Sequence, residues 1–474
     1  MDLTRHHTRI LSSFFLLLLL SCSTLSVLSR MFSPIDNYLI NCGSSQSTTA
    51  VDFRRFSGDL SGNHPSLLSS PSNGAFPLRS KHNFPNLPSI YRTAMVFNKP
   101  TKYVFPIKEQ GTHMVRLHFF AFNSTEYDLG QAQFHVLVNG FVVLSNSSRV
   151  ISSKKPMTTE YLIKVLNEEN LVIHFVPTKD SKLAFVNAIE VISAPKDLVP
   201  ETATYLSSNG IENFNGLSNQ ALEVVYRITV GGPKITPFND SLWRTWIPDD
   251  EFLRSSFGSE RLYFGGRIKY HAGGASREVG PDNMYNSARL IKSNNDSVPN
   301  VNVTWEFPII GGYKYLVRLH FCDIASIQLG LLYFNVYVNG YLAIQDLDLS
   351  TITGSLASPF YADFIVDGNG IGNLSVAIGP SNSSMPYVYD AILNGVEVLK
   401  MNNSHNSLDG EVCAGFFLKN WTSGNGNILL TFAAAICILL SIFIVVRRKI
   451  IDSRNYVPWS RLPMNVSEDN EIKT

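Results

Sequence analysis

The chain has 474 residues, 45% hydrophobic and only 16% charged, and its formal net charge is +1. So small a net charge supplies no basic field to draw a polyanion by counterion release, which argues against nucleic acid as a partner. The length affords two or three large cores.

In chain order, the first element is a secretory signal peptide over 1–29, with a basic start through Arg5 and Arg9, an apolar run Ile10–Leu20 and small residues from Ser21. That run holds 11 residues, too few to span about 30 Å of hydrocarbon. A β module is expected over 33–195, an extended, exposed linker with Pro195 and Pro200 over 196–207, a second module over 208–400 and an extended Ser/Asn-rich stalk over 401–427. The run 428–446 has 19 residues without a charge and leads into Arg447-Arg448-Lys449. It reads as a single transmembrane α-helix with its basic end in the cytoplasm, followed by a disordered tail over 447–474. The predicted product is a single-pass type I glycoprotein of the plasma membrane with a large extracellular amino-terminal region.

Between the two apolar runs stand nine Asn-x-Ser/Thr glycosylation acceptors, at Asn123, Asn146, Asn239, Asn295, Asn302, Asn373, Asn382, Asn402 and Asn420. Glycans there would supply polarity that the low charge does not. Asn465 is a further match on the cytoplasmic side. Outside the signal and the span, Cys42, Cys322 and Cys413 allow at most one disulfide, and free buried thiols fit equally well.

The two modules repeat each other. Val115-Arg116-Leu117-His118-Phe119 returns as Val317-Arg318-Leu319-His320-Phe321, and Phe134-x-Val136-x-Val138-Asn139-Gly140 as Phe334-x-Val336-x-Val338-Asn339-Gly340. Upstream, Tyr38-x-Ile40-x-x-Gly43 with Asp52 matches Tyr226-x-Ile228-x-x-Gly231 with Asp240, and Tyr91-x-x-Ala94 matches Tyr285-x-x-Ala288. Each copy closes on a similar strand, Ala188-Ile189-Glu190-Val191 and Gly395-Val396-Glu397-Val398. Alternating apolar runs that end in Asn-Gly predict hairpins, and the fold class is all-β with sandwich or jelly-roll packing in tandem.

Sugar recognition needs aromatic faces beside polar groups, which makes Trp243, Trp246, Tyr263, Tyr270 and Tyr285 candidate ligand-binding residues; core packing or a structural corner is the competing reading. His118 and His320 hold equivalent strand positions, which favours a role in the common fold over a pH or metal function. Gly368-Asn369-Gly370-Ile371-Gly372 reads as a hairpin turn between Phe364–Val366 and Leu374–Ile378, not as a phosphate loop. Asp249-Asp250-Glu251 lacks the separation that a glycosidase pair requires. No catalytic, metal or cofactor motif is found in the sequence.

Several strings give the chain a resemblance. Tyr38-Leu39-Ile40-Asn41-Cys42-Gly43-Ser44, Leu242-Trp243-Arg244-Thr245-Trp246-Ile247-Pro248-Asp249, Gly273-Gly274-Ala275-Ser276-Arg277, Gly280-Pro281-Asp282-Asn283-Met284-Tyr285 and the two Arg-Leu-His-Phe strands resemble the plant malectin-like receptor-like kinases of the FERONIA and THESEUS group. The likeness covers about 33–460 and includes a juxtamembrane Trp459-Ser460-Arg461-Leu462-Pro463, similar to the family's lead-in to its kinase. The kinase motifs themselves are absent from this chain.

The resemblance implies two tandem malectin-like modules that sense the cell wall, with a secreted cysteine-rich peptide or pectin-type polysaccharide as ligand and a lipid-anchored co-receptor or kinase-bearing relatives as partners. The expected function is a receptor-like protein that is not itself an enzyme and acts through partner receptors. The alternative is a truncated product of a full-length receptor serine/threonine kinase.

Overall fold

Alternating side chains decide which face of each strand is buried, and here they build several sheets around three hydrophobic clusters, the third of which takes Met114 and Leu162 from the first copy and Leu222 and Leu399 from the second. The computed structural model describes residues 32–454 except 63–66, 70–73, 83, 125–126, 146–154, 167–169, 272–273, 292–301, 369–371 and 384–389, and no side chain of 420–433 or 452–454. The expected signal peptide, Asn146, Asn295, the side chain of Asn420 and most of the tail lie outside the described residues. The chain divides into two units, the first ending at Gly415 and the second beginning at Phe416.

In the first copy, Gly111–Phe119 pairs with Met157–Val165 on one side and Ala188–Ser193 on the other, and Asn37–Asn41 lies beyond Ala188–Ser193. A second sheet runs Phe141–Leu144, Phe134–Val138, Leu171–Pro177, Thr101–Phe105 and Leu68–Ser69. Val115, Leu117 and Phe119 from one sheet meet Phe134, Val136 and Phe175 from the other in a single core. The second copy repeats the plan: Lys314–Cys322 lies between Pro359–Asp367 and Gly395–Met401, and Val303–Pro308, Asn373–Pro380, Tyr333–Val338 and Tyr341–Asp348 form the other sheet.

The predicted hairpins form. Asn139-Gly140 and Asn339-Gly340 both adopt positive φ, 43° and 85° in one copy and 50° and 83° in the other, as a two-residue turn with matching twist demands. Gly43 and Gly231 show why the Tyr-x-Ile-x-x-Gly string repeats. At φ +72° and +69° each passes so close to a neighbouring strand that a Cβ would lie 2.2 Å from the carbonyl oxygen of Ala94 or Ala288.

Other expectations fail for physical reasons. Within 196–207, Thr202–Ser207 is a strand that pairs in parallel with Pro359–Asp367, and the segment is buried because Leu198, Val199 and Ala203 fill one hydrophobic cluster and Leu206 another. Gly368–Gly372 does not close a hairpin: Pro359–Asp367 and Asn373–Pro380 belong to different sheets, each with apolar side chains in the shared core, so the connection crosses between them. The stalk is not extended either. Leu408 is fully buried in the first copy's core, the 406–408 backbone bonds to Val142, and a helix runs Ala414–Arg454. This helix contains 428–446, yet among the described residues no helix is long and apolar enough to cross a membrane. Cys42 and Cys322 are buried in separate cores and Cys413 is exposed, all as free thiols.

The two copies share one sheet. Tyr161 and Leu162 of the first pair with Glu223 and Leu222 of the second, which makes the strands continuous from the Thr49–Val51 edge to the Gly210–Asn215 edge.

Candidate functional site: the seam between the copies

On Gly111–Phe119 the alternate residues Arg116 and His118 point away from the core that Leu117 and Phe119 fill, and Glu160, Glu190, Arg227 and Glu397 stand on neighbouring strands of the same sheet. The result is a file of alternating charges across both copies. Arg54 Nη1 donates to Glu190 Oε1 at 2.7 Å, Arg116 Nη1 to Glu190 Oε2 at 2.8 Å and Arg116 Nε to Glu160 Oε2 at 2.6 Å. Arg227 Nη2 reaches Glu160 Oε1 at 2.8 Å across the seam, and Arg227 Nε reaches Glu397 Oε2 at 2.7 Å. Glu160 is thus the single carboxylate that bonds arginines of both copies in this file.

Burial alone would push Glu160 up, but Arg227 and Arg116 together hold it at about 2. Glu190 and Glu397 are likewise held well below the ordinary carboxylate range despite burial, by Arg116 and Arg227 respectively. In each copy a histidine also meets the outer carboxylate of the file. His118 Nε2 lies 2.8 Å from Glu190 Oε1, with Tyr91 Oη 3.0 Å from its Nδ1. His320 Nε2 lies 3.2 Å from Glu397 Oε1, with Tyr285 Oη 3.0 Å from its Nδ1. The repeated His, Tyr and Glu positions therefore recur because together they build one buried hydrogen-bond set per copy, whereas Arg318, the counterpart of Arg116, bonds Asp363 on the adjoining strand at 2.7 Å.

Beside this file a cleft of about 470 Å³ opens at the seam, lined by Arg54, Arg116, Glu160 and Thr158 from one copy and by Lys234 and Trp243 from the other. Arg54 is buried and its Nε is unpartnered among the described residues. Trp243 packs against the first copy's core at φ 55°, a conformation that costs a bulky residue about 1–2 kcal/mol. The rest of the string aligns with Arg54: Arg244 lies over Trp246 at 5.4 Å as Arg54 lies over Phe56 at 5.3 Å. Trp243 is thereby the counterpart of Phe53, which also has positive φ, at 63°. Asp52 and Asp240, matched by sequence, are not equivalent: Asp52 is an exposed turn residue, whereas Asp240 is buried against Arg244.

Of the five aromatic candidates, Trp246 and Tyr285 are fully buried and cannot face a ligand, because their polar atoms find partners inside, Asp240 at 3.0 Å and His320 at 3.0 Å. Tyr270 is half-buried and donates to Asp282 at 2.6 Å. Tyr263 is exposed but does not line the cleft, so Trp243 alone of the five does. Phe53 and Phe238, absent from the sequence candidates, are exposed and stack on each other beside the cleft with ring centroids 4.6 Å apart. Aligning the copies on Arg54 and Arg244 would have flagged Phe53. Asn123, Asn239, Asn302, Asn373 and Asn382 are exposed, whereas Asn402 is half-buried and its amide oxygen accepts from the Ala221 N–H.

One pair of equivalent aspartates differs between copies. Asp59 accepts from Gly43 N at 2.8 Å and Tyr103 Oη at 2.7 Å, and burial raises it to about 6. Asp249 accepts equivalently from Gly231 N and Trp305 Nε1, but also from Arg289 Nε at 2.5 Å. Asp59 thus favours the fold when protonated: its contribution is complete below pH about 4 and is lost as pH rises through about 6. Asp59→Asn is expected to abolish a stability difference of about 1–2 kcal/mol between pH 5 and pH 7. Urea midpoints at the two pH values check this, and a variant that keeps the difference would refute the assignment.

Residues 40–401 match the family model described as the malectin-like domain. The receptor-like protein kinase THESEUS 1 of Arabidopsis thaliana is 39% identical over 397 residues, covering 83% of this chain and 45% of that protein. FERONIA, from the same plant, is 34% identical over 419 residues, covering 84% of this chain and 46% of that protein. The chain spans about half the length of the curated relatives it matches. Among solved structures, the ANXUR2 extracellular domain of Arabidopsis thaliana aligns with a TM-score of 0.71 at 27% identity, covering 79% of this chain and 99% of that one. The plant receptor FER, in a complex with the peptide RALF23 and with LLG2, aligns with a TM-score of 0.67 at 30% identity over 80% of this chain and 99% of that one.

Proposed function

Because the chain belongs to the malectin-like domain family, we propose that it is a cell-surface, receptor-like plant glycoprotein whose two sandwich modules bind an extracellular ligand at their seam. The cleft carries this reading: it is open, it is bounded by both copies, and it contains a buried arginine with an unpartnered N–H beside an exposed lysine. Such a site suits an acidic or polar group on a secreted peptide or on a wall polysaccharide. In this reading the signal peptide is cleaved, the 428–446 segment spans the plasma membrane once, and the chain performs no catalysis and signals through a co-receptor or kinase-bearing relatives. The FER complex with RALF23 and LLG2 supports a peptide and a co-receptor as partners.

The test is titration of the protein with oligogalacturonides and secreted cysteine-rich peptides at two salt concentrations, which separates charge-driven polymer binding from a specific site. Val225, on the cleft wall and partly exposed, provides the control. Val225→Trp is expected to fill the cleft and weaken binding about tenfold or more, and undiminished affinity would move the site elsewhere.

A second reading is supported by the length of the relatives, which are receptor kinases of about twice this span. In that reading the chain is the receptor half of a longer kinase. Sequencing the full transcript decides between them: a kinase reading frame continuing past Glu468 would establish the second.

A further inference from the structure

We propose that Asn239 carries an N-linked glycan whose first sugar rests on the Phe53–Phe238 pair and so fastens the two copies together beside the cleft. This rests on the extracellular placement proposed above.

Phe53 comes from the first copy and Phe238 from the second; they are 85% and 64% exposed, and their rings meet at 4.6 Å with a 45° tilt. Phe53 stands with Asp52 in the two-residue turn between Thr49–Val51 and Arg54–Gly58, both at positive φ, where asparagine and glycine are the residues that fit without strain. A bulky side chain held there against its backbone preference, with its outer face in water, marks a surface that something covers.

The next residue after Phe238 is Asn239, exposed and part of the acceptor Asn239-Asp240-Ser241. Among the described residues that flank the other exposed acceptors there is no such shelf: Phe122, Val303 and Leu374 are buried, and Asn382 lies between serines. An N-acetylglucosamine has a face of C–H groups and an acetyl methyl that complement a π surface. Its hydroxyls would meet exposed Asp52, Lys234 and Thr236.

The donor is a lipid diphosphate-linked oligosaccharide. The Asn239 amide nitrogen bonds to the anomeric carbon, the anomeric C–O bond to diphosphate breaks, the lipid diphosphate leaves with that electron pair, and one amide proton passes to solvent.

The experiment uses the full chain expressed in plant cells with high-mannose glycans. Glycopeptide mass spectrometry measures occupancy at each acceptor, and an endoglycosidase that cuts between the first two sugars is then applied to the native protein. The Asn239 glycan should be occupied and trimmed about tenfold more slowly than that of Asn302, the upper end of what one aromatic contact supplies. Phe53→Gly, which suits the positive φ, and Phe238→Ala should each bring the two rates together, and either variant suffices if the other fails to fold. An occupied Asn239 trimmed as fast as Asn302 overturns the inference. So does an empty Asn239 beside an occupied Asn302 or Asn373, although the extracellular reading then stands; if all acceptors are empty, that reading fails as well.

Discussion

Glu160→Ala is expected to destabilise the protein by about 3–5 kcal/mol, because it leaves two buried arginines short of a carboxylate. Arg116 and Arg227 are both nearly inaccessible, and Glu160 is the group that offsets them across the seam. Arg116 retains Glu190 and Arg227 retains Glu397 after the change, yet each loses its second partner while its own side chain stays almost wholly buried. The companion variant makes the argument specific. Replacing Glu160 and Arg227 together by methionine leaves Arg116 with Glu190 and Glu397 with His320, so the double variant should be more stable than the sum of the single losses predicts. Urea unfolding of the unaltered protein, Glu160→Met, Arg227→Met and the double variant gives the coupling, and strict additivity would show that the seam ion pair does not join the copies. The pH dependence has the matching sign. Glu160 is held at about 2, so its contribution is present at neutral pH and is lost as pH falls from its ordinary range, near 4.5, toward 2.

Leu408→Ala should cost about 2–5 kcal/mol, although the residue lies in a segment that reads as a polar stalk. Its side chain is fully buried in the first copy's core, while the backbone before it leaves the end of the second copy. Val142 N donates to Asn406 O, Leu408 N donates to Val142 O, and Ser145 N donates to Asp409 at 2.6 Å. Hydrogen exchange should rise at Val142 and Leu408 and spread to the Phe141–Leu144 strand. A loss under about 1 kcal/mol, or exchange confined to 402–410, would mean that the return segment is an ornament of the first copy and not part of its core.

Self-comparison made the duplication legible because each repeated string performs one task twice: Gly43 and Gly231 admit a neighbouring strand, Asn-Gly closes two hairpins, and the Tyr, His and Glu positions build two buried sets. What joins the copies was not legible. The seam is a short pairing of residues far apart in the chain, and nothing local in Tyr161 or Glu223 announces a partner. The strand within the expected linker did leave a signal, since Thr202–Ser207 holds two threonines and a tyrosine, residues that favour strands, and is followed by Asn209-Gly210. The two prolines outweighed it. Between binding and core packing the sequence does not choose for Trp246 and Tyr285, because it does not reveal that Asp240 and His320 satisfy their polar atoms within the core.

The return of residues 402–410 to Val142 has a mechanical meaning. The second copy is tethered to the first at both of its ends, by Tyr161 and Leu162 at its start and by Val142 and Ser145 after its finish. A load applied at Gly410 is therefore shared among the hydrogen bonds to Tyr313 of the second copy and to Ser145 and Val142 of the first, and the strand that ends at Met401 is not pulled until this latch opens.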